Sequence, residues 1–390
     1  FTQMNFDFSE EQTMIKDSVA RFVRDEYDFD TRRKIIDSEE GMSRDFWATF
    51  AELGWLSVPF AEEYGGFGGT AEDLAAIMEE LGKGIVVEPF VSTVVVFGGL
   101  LSASTNEPLK EAIIPSVIDG SCLGSFAFLE RQSRYEMADV TTTATACDGG
   151  YSITGEKTVV FNGGTADKFV VTARTSGTQF DRQGISLFLV DAKAGGVTVK
   201  SYKTMDGQRA ATVTFDNVIV AADQLLNGVG EGLDLVDGVM PTVLMALSAE
   251  ALGIMSMLNS LTVEYSKTRQ QFGTPISSFQ ALQHRMVDMF IACEQTKSML
   301  YRGLCDANDI AANPEMDNTE LLKSVHALKA TVAKFGRKVG EEAIQLHGGI
   351  GMTDELNIGH YVKRLMTINV TFGDGDYHQK KFNHLSYSSL

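Results

Sequence analysis

The sequence predicts an α+β protein of three lobes: helical, then β-rich, then helical. Three observations support this fold class. Helical patterning runs from position 9 to about 112, short β-rich runs separated by turn residues fill about 120 to 223, and helical periodicity returns from 234 to near 365. With 390 residues, 44% of them apolar, the chain can form several domains with buried cores. We place the domain boundaries at 1–119, 120–228 and 229–390.

The first lobe begins with a helix N-terminal signal. Ser9, followed three residues later by Gln12, has the pattern of a capping box, and Val19 and Phe22 continue at helical spacing. The glycine-rich stretch 62–69 marks a loop in which glycines allow positive φ. We expect an N-terminal α-helical domain.

The middle region is predicted to form a small β-barrel or sandwich. Some of its runs alternate polar and apolar residues, as in 212–215, which is typical of antiparallel strands with one face in water. Turn residues separate the runs. The runs cover 123–129, 140–146, 151–154, 168–174, 185–191, 197–202 and 211–215.

The third lobe is predicted to be a four-helix bundle. Apolar residues recur there at alternating spacings of three and four, which is the period of an amphipathic helix. One such series runs from Leu244 to Tyr265 and another from Leu322 to Val339. Long helices with apolar stripes bury them by packing against one another.

Composition excludes several classes of function. The net charge of -19 repels the phosphates of nucleic acids. The longest apolar stretch, 85–101, is interrupted by polar residues and falls short of the roughly 20 apolar residues that cross a bilayer, so we expect no membrane span. Four cysteines without a C-x-x-C pair predict a reducing, cytoplasmic compartment. Metal-site and nucleophilic-serine motifs are absent from the sequence, and we expect no metal.

Two segments of the third lobe could bind a phosphate-bearing cofactor. Arg269 lies at a predicted helix end, with Gly273 and Pro275 just beyond, and a guanidinium there can hold a diphosphate with a planar fork of donors. The alternative is that Arg269 complements the C-terminal dipole of its own helix. The glycine-rich run 348–351 could cradle phosphate or could cap a helix C-terminus.

Together these segments carry a resemblance. The chain resembles the acyl-CoA dehydrogenase family over essentially its whole length, in its α, β, α order and in the motifs at 59–66, 155–163, 265–280 and 345–351. The resemblance implies the acyl-CoA dehydrogenase fold, an FAD cofactor, and α,β-dehydrogenation of an acyl-CoA thioester. It also implies oligomerisation, because in this family a neighbouring subunit holds the adenosine diphosphate tail of the flavin. The residues that would meet that tail are Arg269, Phe272, Gln345, Gly348 and Gly349.

The catalytic base of the family has no counterpart at the matching positions. In the family, the Glu of a Tyr-Glu-Gly-Thr stretch removes the α-proton, and the matching position here is Gly373. An alternative family position for a Glu matches Val243. On the flavin-ring side, Leu129 and Phe161 replace hydroxyl-bearing residues. The resemblance therefore implies a degraded catalytic pocket.

Two explanations stay open. Asp374 or Glu250 could be a relocated base in a self-sufficient homo-oligomer, although Asp374 could equally cap a turn and Glu250 could make an ordinary polar contact. Otherwise the chain pairs, as a heterotetramer, with a related large subunit that supplies the base. The runs 130–135, 345–353 and 372–376 resemble small subunits of bacterial heteromeric acyl-CoA dehydrogenases, such as the pimeloyl-CoA dehydrogenase small subunit.

Functions of another class fit the same resemblance. The chain could be a non-catalytic flavin or acyl-CoA binding protein, or a flavin oxidase or monooxygenase on the same fold. Fast reaction of the reduced flavin with oxygen would favour the oxidase or monooxygenase, and absence of bound flavin would favour the acyl-CoA binding protein.

Overall fold

A computed structural model of the protein describes residues 9–387 and has the predicted order of helices, sheet and helices. The capping box that begins α1 is confirmed: Ser9 Oγ accepts a hydrogen bond from Gln12 N at 3.1 Å, and Gln12 Oε1 accepts one from Ser9 N at 2.9 Å. A π-helical segment, Phe90–Phe97, leads directly into α5. The N-terminal helices are α1 (Glu10–Glu26), α2 (Phe29–Asp37), α3 (Arg44–Glu52), α4 (Ala71–Lys83), α5 (Gly98–Ala103) and α6 (Glu107–Ile118).

The middle region forms one seven-stranded sheet in the order β1-β4-β2-β3-β7-β6, with β5 paired to β4. Its core includes the fully buried rings of Phe169, Phe188 and Phe215. The strands are β1 (Gly124–Ala127), β2 (Thr143–Cys147), β3 (Gly150–Phe161), β4 (Lys168–Arg174), β5 (Ile185–Asp191), β6 (Val197–Lys203) and β7 (Arg209–Ala221).

Strand direction departs from the antiparallel expectation at β4. Strand β1 pairs with it in parallel, from Gly124 opposite Lys168 to Ala127 opposite Val171, and β2 adds one parallel pair between Thr143 and Arg174. A long connection separates β1 from β4, and a parallel pair of neighbouring strands requires such a crossover. The remaining pairings are antiparallel.

The C-terminal region contains three long helices, two shorter ones and a two-stranded hairpin. Helix α9 packs against α8, α10 and α11, so it lies at the centre of this helical group. The elements are α7 (Gly232–Thr268), β8 (Gln270–Gln271), β9 (Thr274–Pro275), α8 (Gln280–Ala312), α9 (Thr319–His347), α10 (Ile358–Val370) and α11 (Gly375–Tyr387).

By its internal contacts the chain forms two compact units. The first unit holds the described residues up to Arg33, Ala71–Val86, and the chain from Leu244 onward, because α4 packs on α1 and α8. The second unit holds Lys34–Thr70 and Val87–Val243, which include α3, α5, α6 and the sheet. The boundaries 1–119, 120–228 and 229–390 stay a prediction.

Helix α7 was not recognised from the sequence as an apolar segment of membrane-spanning length. Among residues 9–387 it is the one helix long and apolar enough to cross a bilayer by length and composition, with a mean hydropathy of 1.6 in its most apolar window. However, 83% of that window is buried inside the protein. Such burial is typical of the core helix of a helical bundle.

Candidate functional site

The two C-terminal motifs meet at the ends of α7 and α9. Tyr265 Oη donates a hydrogen bond to the carbonyl oxygen of His347, 82 positions away, at 3.3 Å. The two rings also stack, with centroids 4.4 Å apart and planes inclined by 26°. The structure therefore brings together the segments in which the sequence placed cofactor-binding residues.

Burial favours the neutral form of the His347 ring in this contact. Burial lowers the pKa of His347, although a hydrogen bond to the carbonyl of Ala343 at 2.8 Å opposes the shift. Because a carbonyl can only accept, Nδ1 of His347 carries the proton. A neutral, fixed imidazole gives Tyr265 a flat surface on which to stack.

The segment after α7 is a tight hairpin that displays an aromatic side chain. Its turn is formed by Phe272 and Gly273, both with positive φ (56° and 79°), between the paired strands β8 and β9. The carbonyl of Arg269 accepts a hydrogen bond from the N–H of Ile276 at 2.8 Å, which closes the base of the hairpin. Phe272 is 94% exposed, and the side chain of Arg269 is also exposed.

The glycines after α9 leave open space. Gly348, with φ of 66°, ends α9, and its N–H donates to the carbonyls of Ile344 and Gln345, so the C-cap interpretation holds. An ideal Cβ placed on Gly348 or Gly349 would meet nothing within 4 Å. A ligand backbone or phosphate can therefore approach this turn closely.

We call the exposed set Arg269, Phe272, Gln345, Gly348 and Gly349 the cradle. A guanidinium, an amide side chain and open glycine backbone are the groups that suit a diphosphate, and an exposed aromatic ring suits an adjoining ring or chain. The residues present fit the tail of a dinucleotide.

The loop between α10 and α11, where the family base is expected, contains no free carboxylate at the matching position. Gly373 has φ of 114°, and its carbonyl accepts a hydrogen bond from Lys329 Nζ at 2.8 Å. Asp374 is half-buried, and its Oδ1 accepts a hydrogen bond from the N–H of Tyr377 at 2.9 Å. Asp374 therefore caps the N-terminus of α11.

The other candidate positions on α7 are buried. Val243, at the alternative family position, is fully buried. Glu250 forms a bidentate ion pair with Arg364, with Oε1 to Nε at 2.6 Å and Oε2 to Nη2 at 2.8 Å. Both side chains are almost completely buried, so this carboxylate is committed to a structural contact.

The two positions that the resemblance assigns to the flavin ring, Leu129 and Phe161, lie in the second unit and carry no hydroxyl. Leu129 and Phe161 are both half-buried. Their carbonyls are engaged, since Leu129 O accepts from Thr158 N at 2.8 Å and Phe161 O accepts from Ser125 Oγ at 2.8 Å. Val159 has a φ of 48°, which is unusual for a β-branched residue and marks a distorted strand here.

Several buried polar residues were missed from the sequence. Lys157 is fully buried in the sheet and pairs with Glu130 at 2.7 Å. Lys329 is fully buried in α9, and His378 in α11 is 1% exposed. Only Lys329 carried a sequence signal, because it falls on the apolar stripe of its helix. Among residues 9–387, no group of three or more His, Cys, Asp or Glu side chains could hold a metal ion.

Comparison with known proteins gives matches over nearly the whole chain. The family descriptions "Acyl-CoA dehydrogenase, N-terminal domain", "middle domain" and "C-terminal domain" match residues 9–121, 125–218 and 230–381. The acyl-CoA dehydrogenase IpdE2 of Mycolicibacterium smegmatis is 30% identical over 359 residues, covering 91% of this chain and 92% of the relative. An L-prolyl peptidyl-carrier-protein dehydrogenase of Serratia is 27% identical over 384 residues, 96% of each chain.

Solved structures agree with these matches. The FAD complex of PigA superposes with a TM-score of 0.88 at 26% identity and 98% coverage of both chains. A variant of the steroid ACAD Tcur3481-Tcur3483 superposes with a TM-score of 0.85 at 26% identity, covering 97% of this chain and 98% of that one. The three-lobe fold predicted from the sequence is confirmed, and the chain belongs to the acyl-CoA dehydrogenase family.

Proposed function

We propose that this chain is an FAD-supporting subunit of an acyl-CoA dehydrogenase that performs α,β-dehydrogenation of an acyl-CoA thioester. It works in the cytoplasm as part of a heterotetramer, and a related large subunit supplies the catalytic base. The cradle holds the diphosphate region of a flavin whose reactive ring is seated mainly in the partner.

The observation that carries the proposal is the contrast between the cradle and the base positions. The cradle residues are exposed, with Phe272 94% in solvent and free space beside Gly348 and Gly349, and Tyr265 joins their two segments through its contact with His347. The base positions are a glycine and a buried valine, and the nearby acids Asp374 and Glu250 are engaged in a helix cap and a buried ion pair.

FAD, when bound, supplies the acceptor for the hydride that leaves the β-carbon of the substrate. The part of this chain is binding and orientation: Arg269 offsets the diphosphate charge, and the glycine turn lets the backbone approach. The similar structures support FAD binding and pairing with a second chain: PigA was solved as an FAD complex, and the steroid ACAD is named by two components, Tcur3481 and Tcur3483.

A glycine substitution tests the cradle without disturbing the fold. Gly349→Leu fills space that is open in this chain, and Gly349 has no positive φ to strain. We expect unchanged thermal stability and about tenfold weaker FAD retention by the co-expressed complex, since about 1.4 kcal/mol corresponds to one factor of ten. Gly195→Leu, in another open turn, is the matched control and should retain flavin.

The division of labour is tested by expressing the chain with and without a related large chain encoded beside it, and measuring flavin absorbance and enoyl-CoA formation. A fully flavinylated, active protein made from this chain alone would refute the proposal. Wild-type flavin content in the Gly349→Leu complex would refute the cradle.

A self-sufficient homo-oligomer with Asp374 as base is the second candidate, because this carboxyl directly follows Gly373. Asp374→Asn separates the two roles, since Asn caps a helix as well as Asp but cannot take a proton. Retained turnover in Asp374→Asn removes this candidate. Lost turnover with unchanged stability supports it.

A further inference from the structure

We infer that Tyr377 and His378 occupy the space that a side chain at position 373 would need, so that restoring an acid at the family's base position by a single substitution would force both rings out of place. An ideal Cβ on Gly373 would lie 2.5 Å from Tyr377 Cδ1 and 2.7 Å from His378 Nε2. Real Cβ atoms essentially never approach other heavy atoms closer than 3.0 Å, so both rings would have to move, or the backbone would have to shift.

His378 cannot move freely, because it is held from both sides. Its Nδ1 lies 2.8 Å from Nδ1 of His326, its Nε2 lies 3.1 Å from the carbonyl oxygen of Phe372, and the residue is 1% exposed. Burial, followed by the nearby Lys329 and His326, lowers the pKa of His378 to about 3, so the ring is neutral at pH 7. The carbonyl then requires a proton on Nε2, and Nδ1 of His378 accepts from His326.

The backbone at position 373 is fixed as well. Lys329, which is fully buried, donates from Nζ to the carbonyl of Asn369 at 3.0 Å and to that of Gly373 at 2.8 Å. These bonds hold the loop at a φ of 114°, which L side chains rarely adopt. The loop therefore presents two separate obstacles, a backbone obstacle at Gly373 and a steric obstacle from the two rings.

This inference does not rest on the proposed division of labour. It concerns the space at position 373, which is the same whether the flavin ring is seated in this chain or in a partner. Its functional consequence is that an acid substituted for Gly373 has no room at the family's base position while the rings of Tyr377 and His378 stay in place.

The test measures thermal stability of the full chain, and Gly149→Ala is the matched control. Gly149 also has a positive φ, 77°, but nothing lies within 4 Å of its ideal Cβ, so its substitution measures backbone strain alone. We expect Gly373→Ala to lower the melting temperature by about 5 °C more than Gly149→Ala, the size of shift that overpacking produces.

The same substitution is then made in a Tyr377→Ala/His378→Ala background, each protein being compared with its own parent. There we expect Gly373→Ala to cost clearly less than it does in the wild-type background, because only the backbone strain at a φ of 114° remains. Failure of Gly373→Ala to fold only in the wild-type background also supports the inference. Equal costs of Gly373→Ala and Gly149→Ala in the wild-type background would overturn it. An undiminished cost, or failure to fold, in the double-alanine background would overturn it too.

Discussion

Replacing Glu250 by alanine tests whether this acid is a catalytic base or a structural partner. The substitution leaves the guanidinium of Arg364 buried and without its bidentate carboxylate, whose bonds measure 2.6 and 2.8 Å. Removing one partner of a buried ion pair costs about 3–5 kcal/mol, because the remaining charge stays desolvated. We expect Glu250→Ala to lose that much unfolding free energy, a large fraction of the total stability of a typical protein.

The measurement is urea unfolding, with a control on the same helix. Glu264 pairs with Lys267 at 2.6 Å, as short as the buried bond, but both side chains are more than half exposed. Glu264→Ala should therefore change the unfolding free energy by about 0–1 kcal/mol. Replacing both buried partners, in Glu250→Leu/Arg364→Met, should recover most of the loss.

The result that refutes this reasoning is a Glu250→Ala protein as stable as the Glu264→Ala control. If that stable protein had also lost enoyl-CoA formation, Glu250 would be the relocated base. Lost stability with partial activity at low temperature would place Glu250 among the structural residues.

Two further predictions concern the sheet. Arg174 donates hydrogen bonds to six backbone carbonyls, four of them between 176 and 183. Since Lys has three donors in place of five, Arg174→Lys should lower the free energy of unfolding by about 1–3 kcal/mol and speed proteolysis within 176–184. Unchanged cleavage would contradict this prediction. Burial alone would raise the pKa of Glu130, but Lys157 and neighbouring hydrogen bonds lower it far below its ordinary value. The stability that the ion pair contributes is present above about pH 4.3 and is lost as the pH falls below this value. In urea unfolding, the loss of free energy in Lys157→Met should therefore be largest at pH 7 and progressively smaller toward about pH 3. A loss that does not depend on pH would be evidence against the pairing.

The elements predicted best from the sequence are the buried strands. The predicted runs 168–174 and 185–191 coincide with β4 and β5, because both are mostly apolar, contain β-branched and aromatic residues, and end at turn residues. The predicted runs 151–154 and 211–215 are much shorter than β3 and β7. Irregular register between these two strands, around Gly155 and again before Val160, interrupts the alternation from which a strand is recognised.

The cradle was also within reach of the sequence, because its geometry is local. A glycine after a helix and a Gly-x-Pro turn impose their backbone shape wherever they occur. The motifs could not predict that the two segments lie next to each other, because this depends on the contact between Tyr265 and His347 near the ends of two separate helices.

For a related reason, the sequence could not decide whether Glu250 and Asp374 are catalytic bases or structural groups. Whether a carboxylate is a base or a structural group depends on what lies across from it, and the partners here are remote: Glu250 and Arg364 are 114 positions apart, and Lys329 and Gly373 are 44 apart. Each partner costs free energy to bury unless it is satisfied, so a fold that buries Arg364 and Lys329 must commit nearby oxygen atoms to them. The carboxylate of Glu250 and the backbone carbonyl of Gly373 are among those committed. Glu250 is therefore engaged in a structural contact, and the matching positions, Gly373 and Val243, carry no acid at all.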